Sequence, residues 1–210
     1  MIRVLLADDH AVVRAGLRRV LEEHADLLVV AEAGTGDEVV RALGESPSDV
    51  VVLDISMPGP GVFSLLARLK AEHPRVRCVV LTMHLESQYA VRVLQAGAAG
   101  FLSKEQSPEF LVEAIRKAHA GGVYVSPSLA EQLASRVGNP PAREPHETLS
   151  NRELEVLVRI GRGQSIKAIA ADLAISPKTV STFHSRIRKK LALQSDAELT
   201  RYVLEHRLTP

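Results

Sequence analysis

Over the first 120 or so positions, apolar runs alternate with helical periodicities. Arg3 to Ala7, Leu27 to Ala33, Asp49 to Leu53, Arg77 to Leu81 and Gly100 to Ser103 read as short strands. Val50-Val51-Val52-Leu53 is apolar at successive positions, the pattern of a strand covered on both faces. Between the strands lie stripes with apolar residues three and four apart. Val13, Leu17, Val20 and Leu21 form one; Phe110, Leu111, Ala114, Ile115 and Ala118 form another. This alternation predicts an α/β, doubly wound, five-stranded parallel sheet with helices on both faces.

The pattern changes at Gly121-Gly122. Ser126-Pro127 has the form of an N-cap followed by proline at the first helical position, opening a short helix to about Val137. Gly138-Asn139-Pro140-Pro141-Ala142-Arg143-Glu144-Pro145 then makes a stiff, extended connector. Beyond Leu149 every pattern is helical. Ser150 and Glu153 have capping-box spacing, a second helix runs from about Ile166 to Leu173, Ser176-Pro177 opens a third that reaches Leu191, and Ser195 to Glu198 repeats the capping box before a fourth that ends near His206. The predicted organisation is an α/β domain over residues 1–121, a connecting helix and Pro-rich linker over 122–146, and an all-α four-helix domain over 147–210.

Composition adds little until charge is mapped. The formal net charge of +1 conceals a split: residues 1–120 hold 13 Lys+Arg against 16 Asp+Glu, and residues 145–210 hold 11 against 7. The basic second part is the better candidate for meeting a polyanion. No apolar run approaches the roughly 18 residues of a membrane span, and Asp8-Asp9 cuts short the apolar run Val4-Leu5-Leu6, so no signal-peptide core is expected. The single cysteine, Cys78, excludes an internal disulfide and fits a cytoplasmic protein. It falls within a strand and reads as core filler. The eight histidines lack a metal-ligand spacing, and none is read as a ligand.

Ligands of parallel sheets bind beyond the carboxyl ends of the strands. There the first strand delivers Asp8 and Asp9, the third Asp54, the fourth Thr82, and Lys104 follows the fifth. Three carboxylates in one crevice need a cation between them, and hard oxygen ligands with room for water suit Mg²⁺. A lysine neutralises an incoming phosphoryl group and a threonine hydroxyl hydrogen-bonds it, so the set has the parts for in-line phosphoryl transfer to a carboxylate. Each residue alone has an ordinary structural explanation, as a turn, a helix cap or a surface charge. Their convergence on one sheet edge does not.

Asp8-Asp9, the run Asp54-Ile55-Ser56-Met57-Pro58-Gly59, Thr82 and Lys104 resemble the receiver domain of two-component response regulators, over roughly residues 1–121. The resemblance implies a flavodoxin-like sheet of order 2-1-3-4-5 and a sensor histidine kinase as partner. It makes Asp54 the phosphoacceptor, and Asp9, Asp54 and the Ser56 carbonyl the Mg²⁺ ligands, with Asp8 acting through water. Phe101 becomes a switch aromatic that follows Thr82 when phosphate draws it inward. Gly59-Pro60-Gly61 departs from the commoner family pattern, and Pro60 is expected to stiffen the loop beside the acceptor.

In the third C-terminal helix Val180, Phe183, Ile187 and Leu191 share an inward face. The outward face offers Lys178, Thr179, Ser181, Thr182, Ser185, Arg188 and Lys189 as candidate contacts to double-stranded DNA: small hydroxyls near base edges and cations toward phosphates. The region 147–208 resembles the LuxR-type helix-turn-helix of the NarL/FixJ response regulators. That resemblance implies homodimers, through the receiver, the last helix or both. The chain is thus expected to be a phosphorylation-controlled transcription regulator and not an enzyme. Two alternatives stay open: a constitutive DNA-binding regulator whose receiver serves only dimerisation, and a Mg²⁺-dependent phosphohydrolase using the acidic crevice.

Overall fold

The computed structural model describes residues 1–82, 87–106, 108–127, 129–131, 134, 144–206 and 208. The chain divides into two compact units, Met1–Glu131 and Gln132–Pro210.

In the first unit, β1 (Ile2–Ala7), β2 (Leu27–Ala33), β3 (Val50–Asp54), β4 (Arg77–Thr82), β5 (Gly100–Ser103) and β6 (Tyr124–Val125) form one parallel sheet of order β2-β1-β3-β4-β5-β6. Five strands stand where the hydrophobic pattern places them, in the expected order. The sixth is an addition. Two residues are too short to carry a periodicity, but Tyr124 is buried and pairs with Gly100. The chain crosses over through α1 (Ala11–Glu22), α2 (Gly36–Glu45), α3 (Val62–Glu72), α4 (Ser87–Gln95) and α5 (Pro108–His119). Every residue of β3 and β5 is buried, which accounts for the continuous apolar run Val50–Leu53 of β3.

Alternation along the strands sorts side chains into two layers. Val4, Leu6, Val50, Val52, Val79, Leu81 and Leu102 pack with Leu21 of α1 and with Leu111, Val112, Ile115 and Ala118 of α5. In α5 the buried stripe includes Val112, whereas Phe110 is exposed, one residue off the predicted face. Arg3 ties the amino-terminal ends of β1 and β3 together. Its guanidinium Nη2 stands 2.7 Å from Asp49 Oδ1 and holds that carboxyl down at about 2.

The predicted helix after Ser126 is present at positions 127, 129–131 and 134; its remaining positions to Val137, and positions 138–143 of the Pro-rich linker, lie outside the described residues.

The second unit contains a 3-10 turn (Pro145–Thr148) and then α6 (Asn151–Gly161), α7 (Ile166–Asp172), α8 (Pro177–Leu191) and α9 (Asp196–Glu205). All four begin on a serine whose hydroxyl accepts an early amide, and Ser150 with Glu153 completes the capping box. Leu154, Leu157, Ile160, Ile169, Leu173, Val180, Ile187, Leu199 and Val203 form the buried interior. Gly161 is required by packing: a Cβ there would lie 2.3 Å from Val203 Cγ1, so the α6–α9 crossing admits no side chain. Ala174 (φ 53°) turns the chain between α7 and α8 in the left-handed region, a conformation that disfavours non-glycine residues.

Candidate functional site: an acidic crevice and an exposed helix

β1 and β3 end side by side in the sheet, so Asp8, just past β1, and Asp54, the last residue of β3, meet at its carboxyl edge. Both are almost wholly buried, at 2% and 3% exposure. Lys104 follows β5, and its backbone N–H donates to the Thr82 carbonyl at 2.7 Å. Its Nζ reaches Asp8 Oδ2 at 2.5 Å and Asp54 Oδ2 at 2.9 Å. The second contact is close but poorly directed: by hydrogen-bond geometry Asp54 Oδ2 has no partner. The contact is Coulombic, and that oxygen is left without a directed hydrogen bond. The other Asp54 oxygen accepts the Ser56 amide at 3.2 Å.

Burial raises the Asp54 pKa above the ordinary carboxylate value, although the Lys104 ammonium and the Ser56 amide oppose it. Burial also works against the Lys104 charge, but the two carboxylates beside the ammonium outweigh it and raise the lysine pKa. Asp8, Asp9, His10 and Asp54 each offer one ligand atom, and these atoms lie within 4.8 Å of one another. An uncommitted buried carboxylate oxygen within that oxygen-rich cluster fits a hard divalent cation.

Thr82 is fully buried at the end of β4, opposite Ser103 of β5. Phe101 is 2% exposed and pairs with Val80, so strand alternation sets Phe101 and Thr82 on the same side of the sheet. Asp8, Asp9, Asp54 and Lys104 thus meet at one edge, with Thr82 at the end of the neighbouring strand and Phe101 further back along β5.

The structure adds supports that sequence reasoning missed. Arg14 Nη1 donates to the Asp8 carbonyl at 2.6 Å while its Nε pairs with Glu32 at 3.1 Å, bracing the turn that carries the acidic pair. The signal for it was a cation one turn into α1. Gln106 Oε1 accepts the Ser103 amide at 3.2 Å. His10, which the sequence already sets directly after the acidic pair, borders the cluster with Nδ1 2.9 Å from Asp9 Oδ1. The loop after Asp54 docks on the start of α2. The Gly36 amide donates to the Pro58 carbonyl at 3.1 Å, and a Cβ on Gly36 would sit 3.1 Å from the Pro60 ring. Gly59, at φ +109°, supplies the left-handed turn that lets the loop do so.

On α8, Val180, Ile187 and Leu191 are buried and Phe183 half-buried. Lys178, Ser181, Thr182, Ser185 and Lys189 are exposed. The Ser181 and Thr182 hydroxyls donate to carbonyls one turn back, at 3.0 Å each. Two candidates are already engaged. Thr179 Oγ1 lies 2.8 Å from Ser176 Oγ at the helix cap, and the Arg188 guanidinium binds the Leu193 and Gln194 carbonyls after the helix. Lys190 Nζ, next along, pairs with buried Glu153 at 2.7 Å and so belongs to the scaffold.

A parallel 2-1-3-4-5 sheet with carboxylates and a lysine at this edge defines a receiver, and four short helices with a capped, basic third one define a helix-turn-helix unit. Comparison with known proteins agrees. Residues 4–116 match the response regulator receiver domain, and residues 147–203 match the bacterial regulatory proteins of the luxR family. The response regulator UvrY of Escherichia coli K12 is 39% identical over 209 residues, covering 99% of this chain and 96% of UvrY. GacA of Pseudomonas aeruginosa is 38% identical over 207 residues, covering 98% and 97%. A structure of the RcsB response regulator of Salmonella typhimurium superimposes with a TM-score of 0.81 at 27% identity, covering 100% of this chain and 98% of RcsB. RcsB bound to the promoter P1flhDC with phosphomimetic BeF3⁻ gives 0.76 at 28% identity, with 96% and 98% covered. This chain belongs to the two-component response regulators of the NarL/FixJ type, which join a receiver to a LuxR-type helix-turn-helix.

Proposed function

We propose that this chain is a phosphorylation-dependent DNA-binding transcription regulator in which Asp54 accepts phosphate from a partner histidine kinase. The observation that carries this reading is the buried Asp54 carboxylate with one uncommitted oxygen, 2.9 Å from Lys104 Nζ, beside Asp8 and Asp9. In the proposed step that oxygen attacks the phosphorus of a phosphohistidine or a small acyl phosphate. The new carboxylate O–P bond forms as the donor's P–N or P–O bond breaks, and the bonding pair leaves with the donor. Asp9, Asp54 and the Ser56 carbonyl would hold Mg²⁺, with Asp8 acting through water; when bound, the ion neutralises charge on the phosphoryl oxygens. Lys104 turns from Asp54 to the new phosphate, and the Thr82 hydroxyl bonds it. Because Thr82 and Phe101 occupy the same side of the sheet, inward movement of Thr82 couples the phosphate to the aromatic ring.

The output is DNA binding by α8. Lys178 and Lys189 serve phosphates, while Ser181, Thr182 and Ser185 let the helix approach base edges. Thr179 and Arg188 are proposed as further DNA contacts, each bonded at an end of the helix in the free protein. Homodimers, formed through the receiver or the last helix, would meet paired half-sites. Residues 1–121, 122–146 and 147–210 are proposed as receiver, connector and DNA-binding domain, the first residues of the connector adding β6 to the receiver's sheet. No helix among the described residues is long and apolar enough to cross a membrane, and we place the protein in the cytoplasm, as a regulator rather than a turnover enzyme. Incubation with acetyl phosphate and Mg²⁺ followed by phosphate-affinity electrophoresis tests the first half. Wild type is expected to gain one phosphate and Asp54→Asn none; equal labelling of both would refute it.

A further inference from the structure

The second unit holds another convergence of ligand-type side chains, one the reading above leaves unused. Glu144, His146 and His206 each offer one ligand atom, and the three atoms lie within 4.8 Å of one another. They come from the two ends of the unit: Glu144 and His146 from the 3-10 turn and the residue before it, His206 from the residue that closes α9. His206 Nδ1 stands 3.7 Å from Glu144 Oε2. Ligand atoms about 2.0–2.1 Å from a tetrahedral zinc ion lie roughly 3.4 Å apart, close to the His206–Glu144 separation.

One tyrosine sets both imidazoles. The Tyr202 hydroxyl lies 3.0 Å from His146 Nδ1, the kind of outer partner that orients a metal-binding imidazole. The Tyr202 ring also packs on His206 with centroids 4.1 Å apart, and the two imidazole planes meet at 61°. His146 is buried, whereas the His206 and Glu144 side chains are 30% and 46% exposed, which gives an ion a route in. Two imidazoles and one carboxylate suit a borderline transition ion and not Mg²⁺.

We propose that Glu144, His146 and His206 form a zinc site of the His₂Glu type, with water in the fourth position. Such a site clasps the segment entering the helix-turn-helix unit to the end of its last helix. It stands independently of phosphorylation.

The test uses the full chain in excess Mg²⁺, because Asp8, Asp9, His10 and Asp54 form a rival cluster. Zinc competition against a chromophoric chelator is expected to show one equivalent held by wild type and equally by His10→Ala. Retention should be at least tenfold weaker in His206→Gln and in Glu144→Gln, the latter an exposed, isosteric change that leaves folding intact. Zinc at a hundredfold excess over its dissociation constant should raise the unfolding midpoint of the helical unit by on the order of 10 °C in wild type only. No zinc held by wild type, unchanged retention in both Gln variants, or loss confined to His10→Ala would overturn the site.

Discussion

The crevice of the receiver and the outward face of α8 are both polar, yet they are built on opposite plans. The crevice draws Asp8, Asp54 and Lys104 from strand ends far apart in the chain and seals them together, with Asp8 and Asp54 almost wholly buried. The α8 face comes from one continuous helix and keeps Lys178, Ser181, Thr182, Ser185 and Lys189 exposed. Phosphoryl transfer needs charges fixed in place away from water, whereas a DNA-reading surface needs groups still open to a partner. Substitutions in the crevice should therefore act on stability and chemistry together, and substitutions on the helix face should act on binding alone.

The largest break in this contrast comes from Lys104→Met. It strands two buried carboxylates and should cost the receiver about 3 kcal/mol in urea unfolding at neutral pH without divalent ions. Because the cost arises from the pair, it should shrink when Asp54→Asn is already present.

Asp54→Asn alone should stabilise. Burial raises the folded-state pKa of Asp54 above its ordinary 3.8. Its contribution to stability is therefore full below pH 3.8 and is lost as pH rises through the raised folded value. The variant should exceed wild type at neutral pH without divalent ions, and the gap should close toward pH 3.8 in a series of denaturant titrations. A gap that widened on acidification would reverse the assigned shift.

Neighbouring lysines sharpen the comparison on the other side. Lys190→Ala leaves buried Glu153 without its cation and should cost about 1 kcal/mol in thermal unfolding of the helical unit, after allowance for solvent screening. Lys189→Ala should change stability by less than about 0.5 kcal/mol. It should instead weaken DNA binding uniformly and lower the salt-dependence slope by about 1. Equal stability losses for the two lysines would erase the distinction between scaffold and reading face.

What could be read from the sequence follows the same division. The fully buried β3 announces itself as the apolar run Val50–Leu53, and once the strands are placed the charged residues at their ends have one place to meet. The two-residue β6 carries no period to detect, and Phe110 fell one position outside the buried stripe of α5. Arg188 has the spacing of an outward-facing cation, but its guanidinium turns back to carbonyls after the helix, a contact that no pattern of side chains reveals. The imidazoles of His146 and His206 were hidden for a related reason. They have no local ligand spacing, and only the return of α9 to the 3-10 turn unites them. Pro60 was legible as a stiff residue, but its seat against Gly36 was not.

In the proposed mechanism, phosphate on Asp54 governs DNA binding by α8. Genome-wide DNA binding of wild type and Asp54→Asn, compared side by side in cells with the cognate kinase active, tests it most directly. Discrete sites occupied by wild type are expected to lose most of their occupancy in the variant. Indistinguishable profiles would contradict the mechanism and leave a constitutive DNA-binding regulator in its place.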